Sequence, residues 1–160
     1  MVNVIPGTPD DDNLDGTQHK DKILGYAGDD LIYGKAGNDL IDAGPSTSYD
    51  DVYGGKGADT FRFFENYGVL QIEDFSTKDG DKLDLSHTGF EKSDLKDTET
   101  NDRDGDGYYL RQTSANGHPE LQIFFHNGSG GTFDMVQLED MTIKQFRHDV
   151  RDHPSHYDFA

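Results

Sequence analysis

Cysteine is absent from all 160 residues, which excludes disulfides and thiolate metal sites together. Long apolar runs are missing as well. Hydrophobic residues make up 32% of the chain, and no stretch approaches the roughly 20 residues of a membrane-spanning helix. The N-terminal MVNVIPGTPDDDN has no basic region leading into an apolar one, so it does not read as a Sec-type signal, and export would take another route. Positive charge is scarce too. Lys and Arg number 14 against 32 Asp and Glu, for a net charge of -18, which argues against nucleic acid or an anionic membrane as a partner and against membrane insertion. HExxH, GxSxG and the phosphate-cradling GxxxxGK[ST] patterns are all missing, so the chain does not read as an enzyme. At 160 residues one compact unit is expected, but with too few apolar side chains for a generous core. Something else must contribute to folding.

The acidic residues indicate what that is. Of the 32, 26 are aspartate and 6 glutamate. A surface acidified for solubility alone would mix the two, whereas aspartate suits tight turns and short-reach coordination of hard cations. The aspartates are also in phase. A nine-residue frame recurs six times, beginning at Gly7, Gly16, Gly25, Gly34, Pro45 and Gly54, with Ala43 and Gly44 inserted before the fifth copy. Position six is aspartate in every copy: Asp12, Asp21, Asp30, Asp39, Asp50 and Asp59. Position eight is always large and apolar: Leu14, Ile23, Ile32, Ile41, Val52 and Phe61. One apolar residue in nine makes no helical stripe, but it fits a coil of short strands.

Residues 54 to 62, GGKGADTFR, match the G-G-x-G-x-D-x-U-x pattern of calcium-binding parallel β-helices at every defined position. The repeat resembles the RTX, or haemolysin-type calcium-binding, family of secreted bacterial proteins. The resemblance implies an all-β fold, a right-handed parallel β-roll in which two nonapeptides make one turn of the coil, followed by an antiparallel β cap. It also implies several Ca²⁺ ions, a secreted, extracellular location and passage through type I secretion machinery.

Glycines at positions one, two and four permit positive φ and let carbonyls turn toward a shared point, which makes Gly25, Gly28, Gly34, Gly37, Gly55 and Gly57 candidate backbone ligands. Successive turns fall on opposite flanks, so Asp12, Asp30 and Asp50 should line one edge and Asp21, Asp39 and Asp59 the other. Carboxylates stacked about 5 Å apart repel by about 0.8 kcal/mol in water and by about 3 kcal/mol at an effective dielectric near 20. Ca²⁺, which takes about six to eight oxygens, suits the gaps better than Mg²⁺ with its strict octahedron. The expected pairs are Asp12 with Asp30, Asp21 with Asp39, Asp30 with Asp50, and Asp39 with Asp59. Some copies depart from the pattern: Thr8 and Thr17 replace the second glycine, His19 and Ser48 a later one, and PSTSYDDVY has no glycine at all. The turns of Asp30 and Asp39 keep the pattern best.

Beyond Phe61 the period stops. ADTFRF followed by IEDFSTKDGDKLDLS looks like the segment after the repeats in serralysin-type proteases and in the repeat modules of mannuronan C5-epimerases. By that resemblance Asp74 and Asp81 bind a further calcium; the plainer reading is a hairpin turn with solvated aspartates. Asp102, Asp104 and Asp106 in DRDGDG alternate as in the first half of an EF-hand loop, but the twelfth position is Thr113 rather than glutamate, so a polar loop is the alternative. GYYLRQT, HPELQIFFHN and TFDMVQL alternate like antiparallel strands, and MTIKQFRHDV has a short helical pattern with Ile143, Phe146 and Val150 on one face.

The domain reading is therefore a calcium-binding roll over residues 1–63, a β-rich cap over 64–150 and a flexible tail over 151–160. His148, His153 and His156 read as part of that solvated tail rather than as a metal cluster, because Pro154 interrupts any shared helical face. Tyr157, Asp158, Phe159 and Ala160 are similar to the uncleaved C-terminal signal of type I exported proteins. The main reading is a non-catalytic calcium-folded module. The alternative is a calcium-dependent module that binds an acidic polysaccharide of the alginate type, for which Arg62, Lys78, Lys82, Arg103 and Arg111 are the candidate basic contributors.

Overall fold

Short strands that each point one apolar residue inward, joined by turns that reverse the chain, leave two faces to be closed against each other. The structure, a computed structural model, describes residues 2–45, 49–64, 67–91, 108–115, 117–126 and 133–159. Strands β1 (Asn3–Pro6), β3 (Asp21–Leu24), β5 (Leu40–Asp42), β7 (Thr60–Phe64) and β9 (Lys82–His87) stack in parallel as one sheet. Strands β2 (Asn13–Asp15), β4 (Leu31–Tyr33), β6 (Asp50–Tyr53) and β8 (Val69–Ile72) stack in parallel as the other. The chain alternates between the sheets, so two repeats complete one coil.

The register follows the sequence phase. In the first sheet Ile5, Ile23, Ile41, Phe61 and Leu83 are successive partners. In the second, Leu14, Ile32, Val52 and Ile72 are. Ile23, Ile32, Val52, Phe61, Ile72 and Leu83 are all fully buried. A slip of one residue would turn every one of them to solvent, so the apolar ladder fixes the register. Each such side chain contributes about 1.5–3 kcal/mol on burial, and with one per nine residues the total is modest.

Although the nonapeptide period ends near Arg62, β8 and β9 add a further coil to both sheets. The cap then grows from one sheet only. Strand β12 (Phe133–Glu139) pairs in parallel with β8, and β11 (His118–His126) and β10 (Tyr108–Ala115) follow antiparallel. Helix α1 (Ile143–Asp152) buries Phe146 and Val150 and begins at a capping box between Thr142 and Gln145. No helix among the described residues is long and apolar enough to cross a membrane.

The chain's end departs from the loose tail expected above. A 3-10 turn at Pro154–His156 leads into β13 (Tyr157–Asp158), which pairs in parallel with Leu83 and Asp84 of β9. Tyr157 is buried, meets Phe146 edge-on at 5.0 Å between ring centroids, and is followed by Phe159 packed against the core. The reason is the sheet edge: β9 would otherwise offer unpaired backbone groups beside an apolar face, and the Tyr157–Phe159 alternation covers both. Asp102, Asp104 and Asp106 lie outside the described residues, as does Arg103.

Candidate metal centre

The turns between strands stack as the strands do. Asp12, Asp30 and Asp50 lie on one flank of the roll, and Asp21, Asp39 and Asp59 on the other, each just before or at the start of a strand. Within each flank the aspartates are linked. The N–H of Asp12 donates to Asp30 Oδ1 at 2.9 Å, and that of Asp30 to Asp50 Oδ1 at 2.9 Å. Opposite, Asp21 N–H donates to Asp39 Oδ1 at 2.8 Å and Asp39 N–H to Asp59 Oδ1 at 2.8 Å. All four pairs named from the sequence thus span one coil step. Asp81 extends the second flank, accepting from Asp59 N–H at 2.9 Å and from Ser76 N–H at 2.9 Å. Asp74 lies on the same flank, where its two oxygens receive the N–H groups of Gly54 and Gly55 at 2.8 Å each.

The second carboxylate oxygen separates the turns into two kinds. In the first two copies threonine occupies it: Thr8 N–H and hydroxyl reach Asp12 Oδ2 at 2.5 and 2.9 Å, and Thr17 N–H and hydroxyl reach Asp21 Oδ2 at 2.6 and 2.9 Å. The copies of Asp30, Asp39 and Asp59 carry Tyr26, Lys35 and Gly55 in place of that threonine, and the Oδ2 atoms of these three aspartates are buried with no hydrogen-bond partner. Anionic oxygens in that position are costly unless a cation meets them.

Carbonyl oxygens converge on the same places. A Cβ on Gly34 would lie 2.5 Å from the Gly54 carbonyl oxygen and 2.9 Å from Asp39 Oδ2, and one on Gly25 would overlap both the Ala43 carbonyl and Asp30 Oδ2. Gly28 and Gly37 face carbonyls of the preceding coil, from Asp10 and His19, while Gly55 and Gly57 crowd those of Lys35 and Gly37. Gly57 also adopts φ +136°, a conformation open to glycine alone. The bare turns therefore hold carboxylate and carbonyl oxygens within one cation's reach, the donor set that Ca²⁺ takes.

A second ladder, outside the first, escaped the sequence reading. Asp29 N–H donates to Asp11 Oδ1 at 2.9 Å, Tyr49 N–H to Asp29 Oδ1 at 3.2 Å, and Ala58 N–H to Asn38 Oδ1 at 3.1 Å. These are position-five residues, and Asp11, Asp29 and Asn38 at that phase are the signal that pointed to it.

Electrostatics record the crowding. Burial, followed by the charges of Asp30, Asp29 and Asp51, pushes Asp50 up to about 7. Burial and the charges of Asp81, Asp39 and Asp74 do the same to Asp59, up to about 7, and burial raises Asp81 to about 6. Asp30 and Asp39 are raised for the same reasons. Asp21 differs. Burial raises it, but the hydrogen bonds from Thr17 and Asn3 outweigh burial and hold it below the usual carboxylate range.

A pH dependence follows for the chain without metal. Raised carboxyls bind protons more tightly in the rolled state than in the unfolded chain, so they oppose folding fully above pH about 7, and that opposition fades as pH falls toward about 4. In EGTA, β signal in circular dichroism is expected to rise between pH 8 and pH 5. Calcium affinity should fall over the same window, since protons and Ca²⁺ compete for the same oxygens. A metal-free chain that loses β signal on acidification would contradict this.

The fold and the turns together define a parallel β-roll with cation-ready acidic flanks. Residues 6–44 and 48–62 match the family model of the RTX calcium-binding nonapeptide repeat, in four copies, and this segment belongs to that family. No curated protein matches the chain significantly. Eighteen chains of solved structures do. One is the solution structure of the AlgE6R3 subunit from the Azotobacter vinelandii mannuronan C5-epimerase, 26% identical, covering 96% of this chain and 82% of that one at a TM-score of 0.55. This chain carries calcium-binding repeats on the same kind of scaffold.

Proposed function

We propose that the chain is a non-catalytic module of a secreted bacterial protein, which folds when Ca²⁺ enters between its coils. The observation that carries this is the set of buried, unpartnered Oδ2 atoms on Asp30, Asp39 and Asp59. The ligands would be the carboxylate pairs Asp12–Asp30, Asp21–Asp39, Asp30–Asp50 and Asp39–Asp59, completed by carbonyls of the turns that contain Gly25, Gly28, Gly34, Gly37, Gly55 and Gly57. Asp74 and Asp81 would serve a further ion at the end of the second flank. In a calcium-poor cytosol such a chain stays unfolded and fits a narrow type I channel; outside, millimolar Ca²⁺ closes it. The test is withdrawal of calcium from the folded chain, followed by circular dichroism.

A second reading, binding of an acidic polysaccharide, draws on a local reversal of charge. On a chain of net charge -18, helix α1 brings Lys144, Arg147, His148 and Arg151 to one open cavity of about 600 Å³, where Arg151 and His148 also face Asp152 at 2.6 and 3.3 Å. Lys78 joins Lys144 and His148 in a second cavity of about 600 Å³ alongside, which Asp140 and Asp149 line as well. Of the other basic residues singled out from the sequence, Arg62 is committed to Asp84 at 3.0 Å. Calorimetry against oligouronates in calcium buffer is expected to give saturable heats that weaken at least tenfold in a Lys78→Ala, Lys144→Ala double variant. Flat titrations across several uronate types would remove this reading.

A further inference from the structure

The calcium ladders use no histidine side chain, yet two histidines meet one carboxylate at the far end of the chain. Helix α1 runs out through Asp149, and Pro154, which cannot continue a helix, starts the 3-10 turn instead. That turn closes with His156 N–H donating to the His153 carbonyl at 3.0 Å, which swings the His156 side chain back against the last helical turn. Proline, taken from the sequence as a separator, is what assembles the group.

The result is a three-residue cluster. His153 Nδ1 lies 3.0 Å from Asp149 Oδ1, and His156 Nδ1 lies 3.0 Å from Asp149 Oδ2. The two imidazoles stack at 5.3 Å between centroids with 13° between planes. One ligand atom from each of the three residues lies within 4.8 Å of the others. His148 takes no part, since its Nε2 turns to Asp152 at 3.3 Å. The cluster is closed on the protein side and open on one: the side chains of Asp149 and His156 are 13% and 16% exposed, that of His153 59%.

We propose that Asp149, His153 and His156 form a binding site for a transition-metal ion of the zinc class, separate from the calcium ladders. Two imidazole nitrogens and one carboxylate are three protein ligands of the type such ions take, with a fourth position left for water. Imidazole selects zinc, copper or nickel, while a single carboxylate is far too few oxygens for Ca²⁺. Ligand atoms about 2.0–2.2 Å from a tetrahedral ion stand about 3.4 Å apart; the two histidines here meet different oxygens of Asp149 at 3.0 Å, and one ligand atom from each residue lies within 4.8 Å of the others, so small side-chain rotations would bring the three to that spacing. On binding, each Nδ1 gives up any proton it carries and coordinates as neutral imidazole.

The ion would join the last turn of α1 to the residue that caps it and to the turn feeding β13. Burial and then the charge of Asp149 raise the pKa of the neighbouring Tyr157, which places this carboxylate beside the residue that seals the edge of β9. Metal here would hold the terminal strand in place independently of calcium.

The experiment is calorimetric titration of zinc chloride into the folded chain, with millimolar calcium present throughout so that zinc does not enter the aspartate ladders. One equivalent is expected to bind, with the side-chain nitrogen resonances of His153 and His156 shifting in NMR. His153→Ala and His156→Ala should each lower the affinity at least tenfold, while His118→Ala leaves it unchanged. Because His153 is mostly exposed, its variant should keep the parent's circular dichroism. Absence of zinc binding, or equal binding in the His153→Ala, His156→Ala double variant, would overturn the proposal and leave the pair as hydrogen-bond partners of Asp149.

Discussion

Chelation with EGTA is expected to convert the chain from a β-rich fold to a largely disordered one, and millimolar Ca²⁺ to restore it. The expectation rests on magnitudes. Coils stack at about 4.8 Å, so neighbouring carboxylates, if all charged, repel by about 3 kcal/mol per pair at an effective dielectric near 20. Four pairs make about 12 kcal/mol, comparable to the whole net stability of about 5–15 kcal/mol that a folded domain retains. Against this the roll has one inward apolar side chain per nine residues, and the Oδ2 atoms of Asp30, Asp39 and Asp59 are buried without a partner. The apolar ladder's gain is already offset by the entropy of ordering nine residues for each inward side chain, at about 1–2 kcal/mol per residue, so little is left to absorb that cost once the ions leave. A far-UV spectrum unchanged by EGTA at pH 8 would sink the folding-switch reading, whatever the ligand set.

Replacing Asp39 should move the calcium midpoint for folding by at least tenfold, and replacing Asp12 by much less. Asp39 sits inside its flank: Oδ1 accepts from Asp21, its N–H donates to Asp59, and Oδ2 has no partner. Asp12 is the outermost rung of the other flank, and Thr8 already satisfies its Oδ2. Asp39→Asn keeps an acceptor for the Asp21 N–H but removes the charge, so at pH 8 it should fold more readily than the parent in EGTA and less readily in calcium. Asp39→Ala adds the loss of that acceptor, leaving a buried N–H unpaired at a further cost of about 1–3 kcal/mol. Calcium titrations followed by circular dichroism check all three variants. Equal shifts for Asp12→Asn and Asp39→Asn would show that the unpartnered oxygens are not where the ions act.

The amino-acid sequence by itself determined the roll, its register and which aspartates face one another, because each repeat meets only the copies one coil away. Asp21 and Asp39 are 18 residues apart in every description of this chain, and an in-phase apolar residue decides which face turns inward. Even the position-five ladder of Asp11, Asp29 and Asn38 was present in that phase, although it went unread. Only the tertiary structure decided what lies outside the period. That Thr8 and Thr17 close the first two turns while those of Asp30, Asp39 and Asp59 stay bare depends on hydroxyl geometry across four residues. That β12 joins the roll in parallel, that Tyr157 seals β9, and that Pro154 brings His156 to Asp149 depend on contacts between segments with no shared repeat. A periodic pattern specifies neighbours by counting residues, whereas the cap is specified by which unpaired edge and which apolar face remain to be covered once the coil is built.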